Sequence, residues 1–123
     1  MIKQSQPCCR SSCPITNALD LIGDRWTMVV LRDLFIGKKR YSEFLASPEG
    51  ISTNILASRL AQMEQSGLVR SRPYQKRPRR LEYHLTKKGT ALLPVLQELS
   101  RWGNKHIPGT FVPPPEFMRR KLG

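Results

Sequence analysis

Apolar residues recur along this chain in blocks whose spacing changes from helical to alternating and back. After Cys13-Pro14, Ile15, Leu19 and Ile22 follow at intervals of four and three, the repeat of one helix face, and Pro sits where its fixed φ suits a first turn. Gly23 supplies a left-handed stop. Asp24 can cap a second helix, in which Trp26, Val29, Val30, Asp33 and Leu34 carry the pattern to Gly37. Tyr41 to Ala46 predicts a brief third helix with Phe44 and Leu45 inward, stopped by Pro48 and turned at Gly50. Ser52 caps a fourth, whose buried stripe is Ile55, Leu56, Leu60 and Met63 and whose close is Gly67. Two helices across a short glycine-containing turn make a helix-turn-helix.

From Leu68 to Thr86 the period becomes two: Leu81, Tyr83 and Leu85 point one way, Glu82, His84 and Thr86 the other. The arms Leu68 to Tyr74 and Leu81 to Thr86 are expected to pair, with Gln75-Lys76-Arg77-Pro78-Arg79-Arg80 as a solvated basic loop at the tip. Thr86 then caps a long helix with Leu92, Val95, Leu96, Leu99 and Trp102 on one face, running to Gly103 or His106. Pro94 inside it should remove one backbone bond and bend the axis, at up to about 3 kcal/mol. Beyond Pro108, Pro113-Pro114-Pro115 and Arg119-Arg120-Lys121 read as irregular. The division expected is a flexible segment at 1–12, one domain at 13–106 and an irregular basic tail at 107–123. Four helices, a hairpin and a helix are the order of a winged helix. The fold class is therefore mainly α with a small β-hairpin (α+β), a winged helix-turn-helix.

Charge sharpens this picture. Lys and Arg outnumber Asp and Glu by 21 to 9 in 123 residues, a formal net charge of +12 that calls for a polyanionic partner. The N-terminal stretch is polar and the longest aliphatic run near it is Met28 to Leu31, so neither a secretory signal nor a membrane span is drawn, and a cytoplasmic protein is expected. Cys8, Cys9 and Cys13 are an odd, clustered set that reads as free thiols. Cys9 and Cys13 lack a second Cys or His pair, and His84 and His106 stand singly, so no metal site is expected. Paired carboxylates, a nucleophile elbow and a glycine-rich phosphate loop are missing too, which argues against an enzyme and against a cofactor.

Several short pieces, in order, carry a family resemblance: Cys13-Pro14, Gly23-Asp24-Arg25-Trp26, Leu31-Arg32-Asp33-Leu34, Arg40-Tyr41-Ser42-Glu43-Phe44, Gly50-Ile51-Ser52, Leu56 with Arg59-Leu60, Gly67-Leu68-Val69, Glu82-Tyr83 with Leu85-Thr86, Gly89 and Leu93-Pro94-Val95-Leu96. Over about residues 13–103 the chain resembles HxlR-type winged helix-turn-helix transcriptional regulators. The resemblance implies a bacterial or archaeal homodimer that binds a (pseudo)palindromic operator in double-stranded DNA. The wing departs from it, being more cationic than such wings usually are.

The residues name a mechanism alongside that resemblance. With Leu56, Leu60 and Met63 turned to the core, the other face of the fourth helix presents Thr53, Asn54, Ala57 and Ser58 to base edges, with Arg59 flanking. Asn54 can pair with adenine, Thr53 and Ser58 can bond bases or phosphates, and the Ala57 methyl can touch thymine. Ser52 leaves the helix N-terminus aimed at a phosphate. Lys76, Arg77, Arg79 and Arg80 would follow phosphates or enter the minor groove, and Lys39 and Arg40 would touch the backbone. Ile15, Leu19 and Ile22 of one chain are expected against Leu92, Val95, Leu96, Leu99 and Trp102 of a second, setting two reading helices roughly 34 Å apart. Part of that stripe is equally suited to the core.

Cys13 immediately precedes a helix whose free N–H groups favour a thiolate, which makes it a candidate for sensing oxidants or electrophiles, as some HxlR-like proteins do through a cysteine aligned with this Cys-Pro. It can equally be a small N-cap residue. Cys8 and Cys9 could resolve an oxidised Cys13. The alternative function is a winged-helix module that binds RNA or a protein partner through its basic surface without operator specificity.

Overall fold

The computed structural model describes residues 11–121, so Cys8, Cys9 and most of the segment expected at 1–12 lie outside the described residues. The elements are α1 (Pro14–Ile22), α2 (Arg25–Phe35), α3 (Tyr41–Leu45), α4 (Thr53–Gln65), β1 (Val69–Lys76), β2 (Arg79–Leu85), α5 (Lys87–Thr90), α6 (Leu93–His106) and α7 (Pro115–Arg119). This is the mainly helical winged helix-turn-helix expected, with a two-stranded antiparallel hairpin.

The helix starts follow capping chemistry. Asp24 accepts from Thr27 N at 3.0 Å to begin α2, and Ser52 Oγ accepts from Ile55 N at 3.2 Å to begin α4. At the head of α3, Glu43 Oε1 accepts from the backbone N–H groups of Lys39 and Arg40 at 2.8 and 3.0 Å. Gly50 and Gly67 turn the chain with φ of 73° and 84°, a region that side chains disfavour. Gly23 is glycine for another reason than the left-handed stop expected of it. Its φ is −72°, and a Cβ there would lie 2.5 Å from the Leu19 carbonyl oxygen, because the chain packs back on the end of α1.

The core is built from one stripe of each helix. Val30, Leu31, Leu34 and Phe35 of α2 meet Phe44 of α3, Leu56, Leu60 and Met63 of α4, Leu68, Val69 and Tyr83 of the hairpin, and Leu93 and Leu96 of α6. Burying each large side chain is worth about 1.5–3 kcal/mol. Of the α1 stripe only Ile22 joins them. A buried carboxylate locks the helix-turn-helix to α2: Asp33 accepts from the Ser47 hydroxyl in a very short bond and from Arg32 Nη2 at 2.8 Å, while Arg32 also grips Glu49 at 2.5 and 2.9 Å. Fully partnered, this acid fixes the turn before α4.

Three more expectations are corrected. The hairpin pairs Val69↔Leu85 down to Pro73↔Leu81, shifts register, and continues through Gln75↔Arg80 and Lys76↔Arg79, so most of the predicted loop is strand and only Arg77-Pro78 turns. Gln75 Nε2 closes that turn by donating to the Arg77 and Pro78 carbonyls at 3.3 and 3.1 Å. The long helix expected after Thr86 is two. Thr86 caps the single turn of α5, and Pro94 is the second residue of α6, where its missing N–H has no partner to lose, so it starts a helix instead of bending one.

The stretch after Pro108 is the third. It folds back through α7, burying Phe117, and the Gln97 side-chain amide donates to the carbonyls of Phe117, Met118 and Arg120 at 2.9, 3.3 and 2.8 Å. Arg120 Nη1 donates to Phe35 O at 2.8 Å, tying this end to the last turn of α2.

Candidate nucleic-acid interface

Leu56, Leu60 and Met63 anchor α4, and period 3.6 then turns Thr53, Asn54, Ala57 and Ser58 outward, all exposed in one patch at its N-terminal half. Ser52 is occupied as the N-cap. Two further side chains, Glu64 and Arg59, fix the attitude of this helix. Glu64 Oε2 accepts from Ser71 N and Oγ at 3.3 and 2.9 Å, binding β1 to the C-terminal half of α4. Near the exposed patch, Arg59 turns inward to Asp24, with Nε 2.7 Å from Oδ2, rather than projecting beside Ser58 as a free cation.

The wing carries Lys76, Arg77, Arg79 and Arg80, all exposed, and none forms an ion pair among the described residues. Lys39 and Arg40 are placed differently. Arg40 forms an isolated bridge with Glu82, adding one residue of strand beside β2, and its guanidinium lies over the Tyr74 ring at 3.7 Å. Glu82 gathers Lys39 Nζ at 4.0 Å, Arg40 Nε and Arg72 Nε at 3.7 Å, and His84 Nε2 at 3.1 Å. The His84 bond first, and then the nearby Lys39 and Arg40 charges, hold its carboxyl below the usual range. Glu82 is the residue the sequence reading passed over. Its signal was a lone acid, on the same strand face as His84, between two basic stretches.

The apolar groups assigned to a dimer contact divide. Ile22, Leu96 and part of Leu92 belong to the core, whereas Ile15 is 70% exposed, Leu19 56%, Leu99 54% and Trp102 58%, with Val95 beside them. Val95, Leu99 and Trp102 line one open groove with Pro94 and Glu98 along α6. Leu93, named from the sequence only for the family resemblance and not as part of the apolar stripe, takes the inward position on α6.

Cys13 is the N-cap of α1 and half-buried. The Thr16 backbone N–H, then the Thr16 hydroxyl and the Ile15 N–H, push its thiol down from the ordinary value. Among the described residues no three His, Cys, Asp or Glu side chains converge as a metal site, and no helix is long and apolar enough to cross a membrane.

Residues 21–110 match the family model described as HxlR-like helix-turn-helix. YvaP of Bacillus subtilis, an uncharacterized HTH-type transcriptional regulator, is 34% identical over 111 residues, spanning 90% of this chain and 99% of YvaP. An uncharacterized HTH-type transcriptional regulator of the archaeon Methanothermobacter thermautotrophicus is 36% identical over 94 residues, 76% of this chain and 72% of that protein. Among solved structures, the redox regulator HypR in its oxidized form superposes with a TM-score of 0.69 at 32% identity, covering 76% of this chain and 97% of HypR. The reduced form of the transcriptional regulator YodB from B. subtilis superposes with a TM-score of 0.66 at 33% identity, covering 82% of this chain and all of YodB. The order of elements, the helix-turn-helix and the hairpin wing thus converge with these relatives, and the chain belongs to the HxlR-like helix-turn-helix family of transcriptional regulators.

Proposed function

We propose that this regulator binds a (pseudo)palindromic operator as a homodimer, reading bases with the exposed N-terminal face of α4 and holding flanking phosphates with its wing. The observation that carries the reading is the pairing of a small polar patch, Thr53, Asn54, Ala57 and Ser58, with a hairpin bonded to the same helix and tipped by cations that have no ion-pair partner among the described residues. The patch has the donors, acceptors and methyl group that distinguish base edges, and the wing has the charge that attracts any duplex. Ser52 leaves the α4 N-terminus facing the same way, suited to a phosphate. Lys39 and Arg40 add charge beside the wing, partly offset by Glu82.

A second chain accounts for the exposed apolar faces. Ile15 and Leu19 on α1, with Val95, Leu99 and Trp102 on α6, are large apolar side chains left exposed, and grouped apolar exposure of this kind marks interaction surfaces. Burial against the same faces of a second copy supplies the two-fold symmetry of a palindromic site. Cytoplasmic residence follows from this role.

A redox or electrophile response through Cys13 is the finer regulatory reading. It is favoured by the lowered thiol pKa at the N-cap of α1, and it accords with HypR and YodB, one named a redox regulator and the other also studied after diamide treatment. A thiolate, not a thiol, is the nucleophile toward such reagents.

The testing experiment selects a duplex from a random 30-bp library with the wild-type protein. It then compares that duplex with a scrambled one of the same composition at two salt concentrations. Specific binding at least about 10³-fold tighter than to the scrambled duplex supports the operator reading. Equal affinity for both sinks it and favours a module for RNA or a protein partner. For Cys13, diamide should release the wild type from DNA and leave Cys13→Ser bound; equal release removes Cys13 from the account.

A further inference from the structure

One carboxylate holds two helices. Asp24 Oδ2 accepts from Thr27 N at 3.0 Å as the cap of α2, and the same oxygen accepts from Arg59 Nε at 2.7 Å while Oδ1 accepts from Arg59 Nη2 at 3.2 Å. The guanidinium's third position, Nη1, donates to Ser58 Oγ at 3.3 Å. Arg59 therefore has its fork on the α1–α2 junction and its free end on a residue of the exposed α4 patch.

We propose that Arg59 is a positioning residue for base reading and not a DNA contact: held bidentately by Asp24, it fixes the rotation of α4 about its own axis and presets the Ser58 hydroxyl as a donor to DNA. The inference rests on α4 being the reading helix, as proposed above.

Three observations carry it. First, a planar fork accepted by two carboxylate oxygens resists rotation in a way a single point charge does not, so Arg is required and Lys does not replace it. Second, a hydroxyl has one proton and two lone pairs; accepting from Arg59 Nη1 commits a lone pair inward and leaves the O–H to donate to a phosphate oxygen, thymine O4, or guanine O6 or N7. Third, the anchor is stiff. Asp24 follows Gly23, where the chain lies so close to Leu19 that a Cβ would sit 2.5 Å from its carbonyl oxygen, and Asp24 is itself fixed by Thr27. The Arg59 pairing also holds the Asp24 carboxyl below its ordinary range, which keeps it an anion across the physiological window.

The test uses the duplex that wild-type protein enriches from a random 30-bp library and a scrambled duplex, titrated from 50 to 300 mM KCl, with Asp24→Asn, Arg59→Gln and Arg59→Lys. Asp24→Asn keeps a side-chain oxygen for the α2 cap, so this variant retains the fold and loses only the ion pair. The proposal predicts that all three variants lose about tenfold in preference for the selected duplex, the loss of one good base contact. Affinity for the scrambled duplex and the slope of log K against log salt stay at their wild-type values. A direct phosphate contact predicts the opposite pattern. Arg59→Gln would flatten the slope by about 0.9 per protomer, and Asp24→Asn, by removing a negative charge and freeing Arg59, would tighten every duplex with preference intact. That pattern overturns the proposal. A wild type with no preference for any duplex instead overturns the operator reading beneath it, a result distinguishable because it needs no variant.

Discussion

Neutralising the wing gives the most quantitative prediction. Arg79 and Arg80 are exposed, start β2 at the hairpin tip and have no ion-pair partner among the described residues, so their charge is free for phosphate. Each phosphate neutralised contributes about 0.9 to the slope of log K on log salt for duplex DNA. On the proposed homodimer, with each arginine on one phosphate, Arg79→Ala with Arg80→Ala removes two contacts per protomer and four in all, flattening the slope by about 3.6. At 0.15 M salt each contact is worth about fivefold through released counterions, so the full loss approaches a thousandfold and applies equally to operator and scrambled duplexes. Fluorescence anisotropy with labelled duplexes from 50 to 400 mM KCl reads both quantities. Glu82→Gln is the internal control. It removes the anion among Lys39, Arg40 and Arg72, and should tighten binding and steepen the slope. An unchanged slope in the double variant would refute the placement of the wing on DNA.

Three further outcomes test the fold. Gly89→Ala should abolish or severely weaken folding, because its Cβ would fall 2.1 Å from the Leu68 carbonyl oxygen, whereas Gly103→Ala, with open space around it on α6, should gain about 0.5 kcal/mol in a thermal melt. Phe117→Ala should cost about 3 kcal/mol and lower the melting temperature by roughly 10 °C; a shift under 2 °C would detach α7 from the core. Acid should destabilise the protein. Asp24, Glu49, Glu43 and Glu82 are all held below their ordinary pKa, chiefly by Arg59, by Arg32, by the Lys39 N–H and by His84 respectively. Their stabilisation is present above the unfolded-state pKa and is lost as pH falls through the folded one. Urea midpoints should thus hold from pH 7 to about 5 and decline below about 4.5. Burial pushes Tyr83 up to about 12, so the sign reverses there and its contribution fades as pH rises from about 10.

What was legible in the sequence follows from how local each signal is. Asp24, Ser52, Gly50 and Gly67 act on backbone within three residues of themselves, and the Leu56, Leu60 and Met63 stripe needs only the helix repeat, so α2 to α4 were readable. Pro94 was ambiguous because the same residue breaks a helix interior and suits a first turn; the capping Thr86 eight residues earlier belonged to a separate turn. Phe117 sits in a proline-rich stretch with no period, and its place depends on Gln97, a polar residue twenty positions away that turns inward beside the apolar α6 stripe. Arg59 was readable as flanking the base-reading patch and Lys39 and Arg40 as touching the DNA backbone, but their ion pairs were not, because Asp24 lies thirty-five residues from Arg59 and Glu82 is brought to Lys39 and Arg40 by the fold of the hairpin against α3. In each case the deciding contact is tertiary.

The reading face of α4 is the centre of this account, and Asn54 tests it most directly. Asn54→Ala and wild type should be titrated against the selected duplex and a set carrying every single base change in one half-site. Wild type should discriminate by about 1–3 kcal/mol at each contacted pair. The account predicts that Asn54→Ala loses that discrimination at one adenine-containing pair of the half-site, while preference elsewhere is kept. Undiminished preference at every position would contradict it.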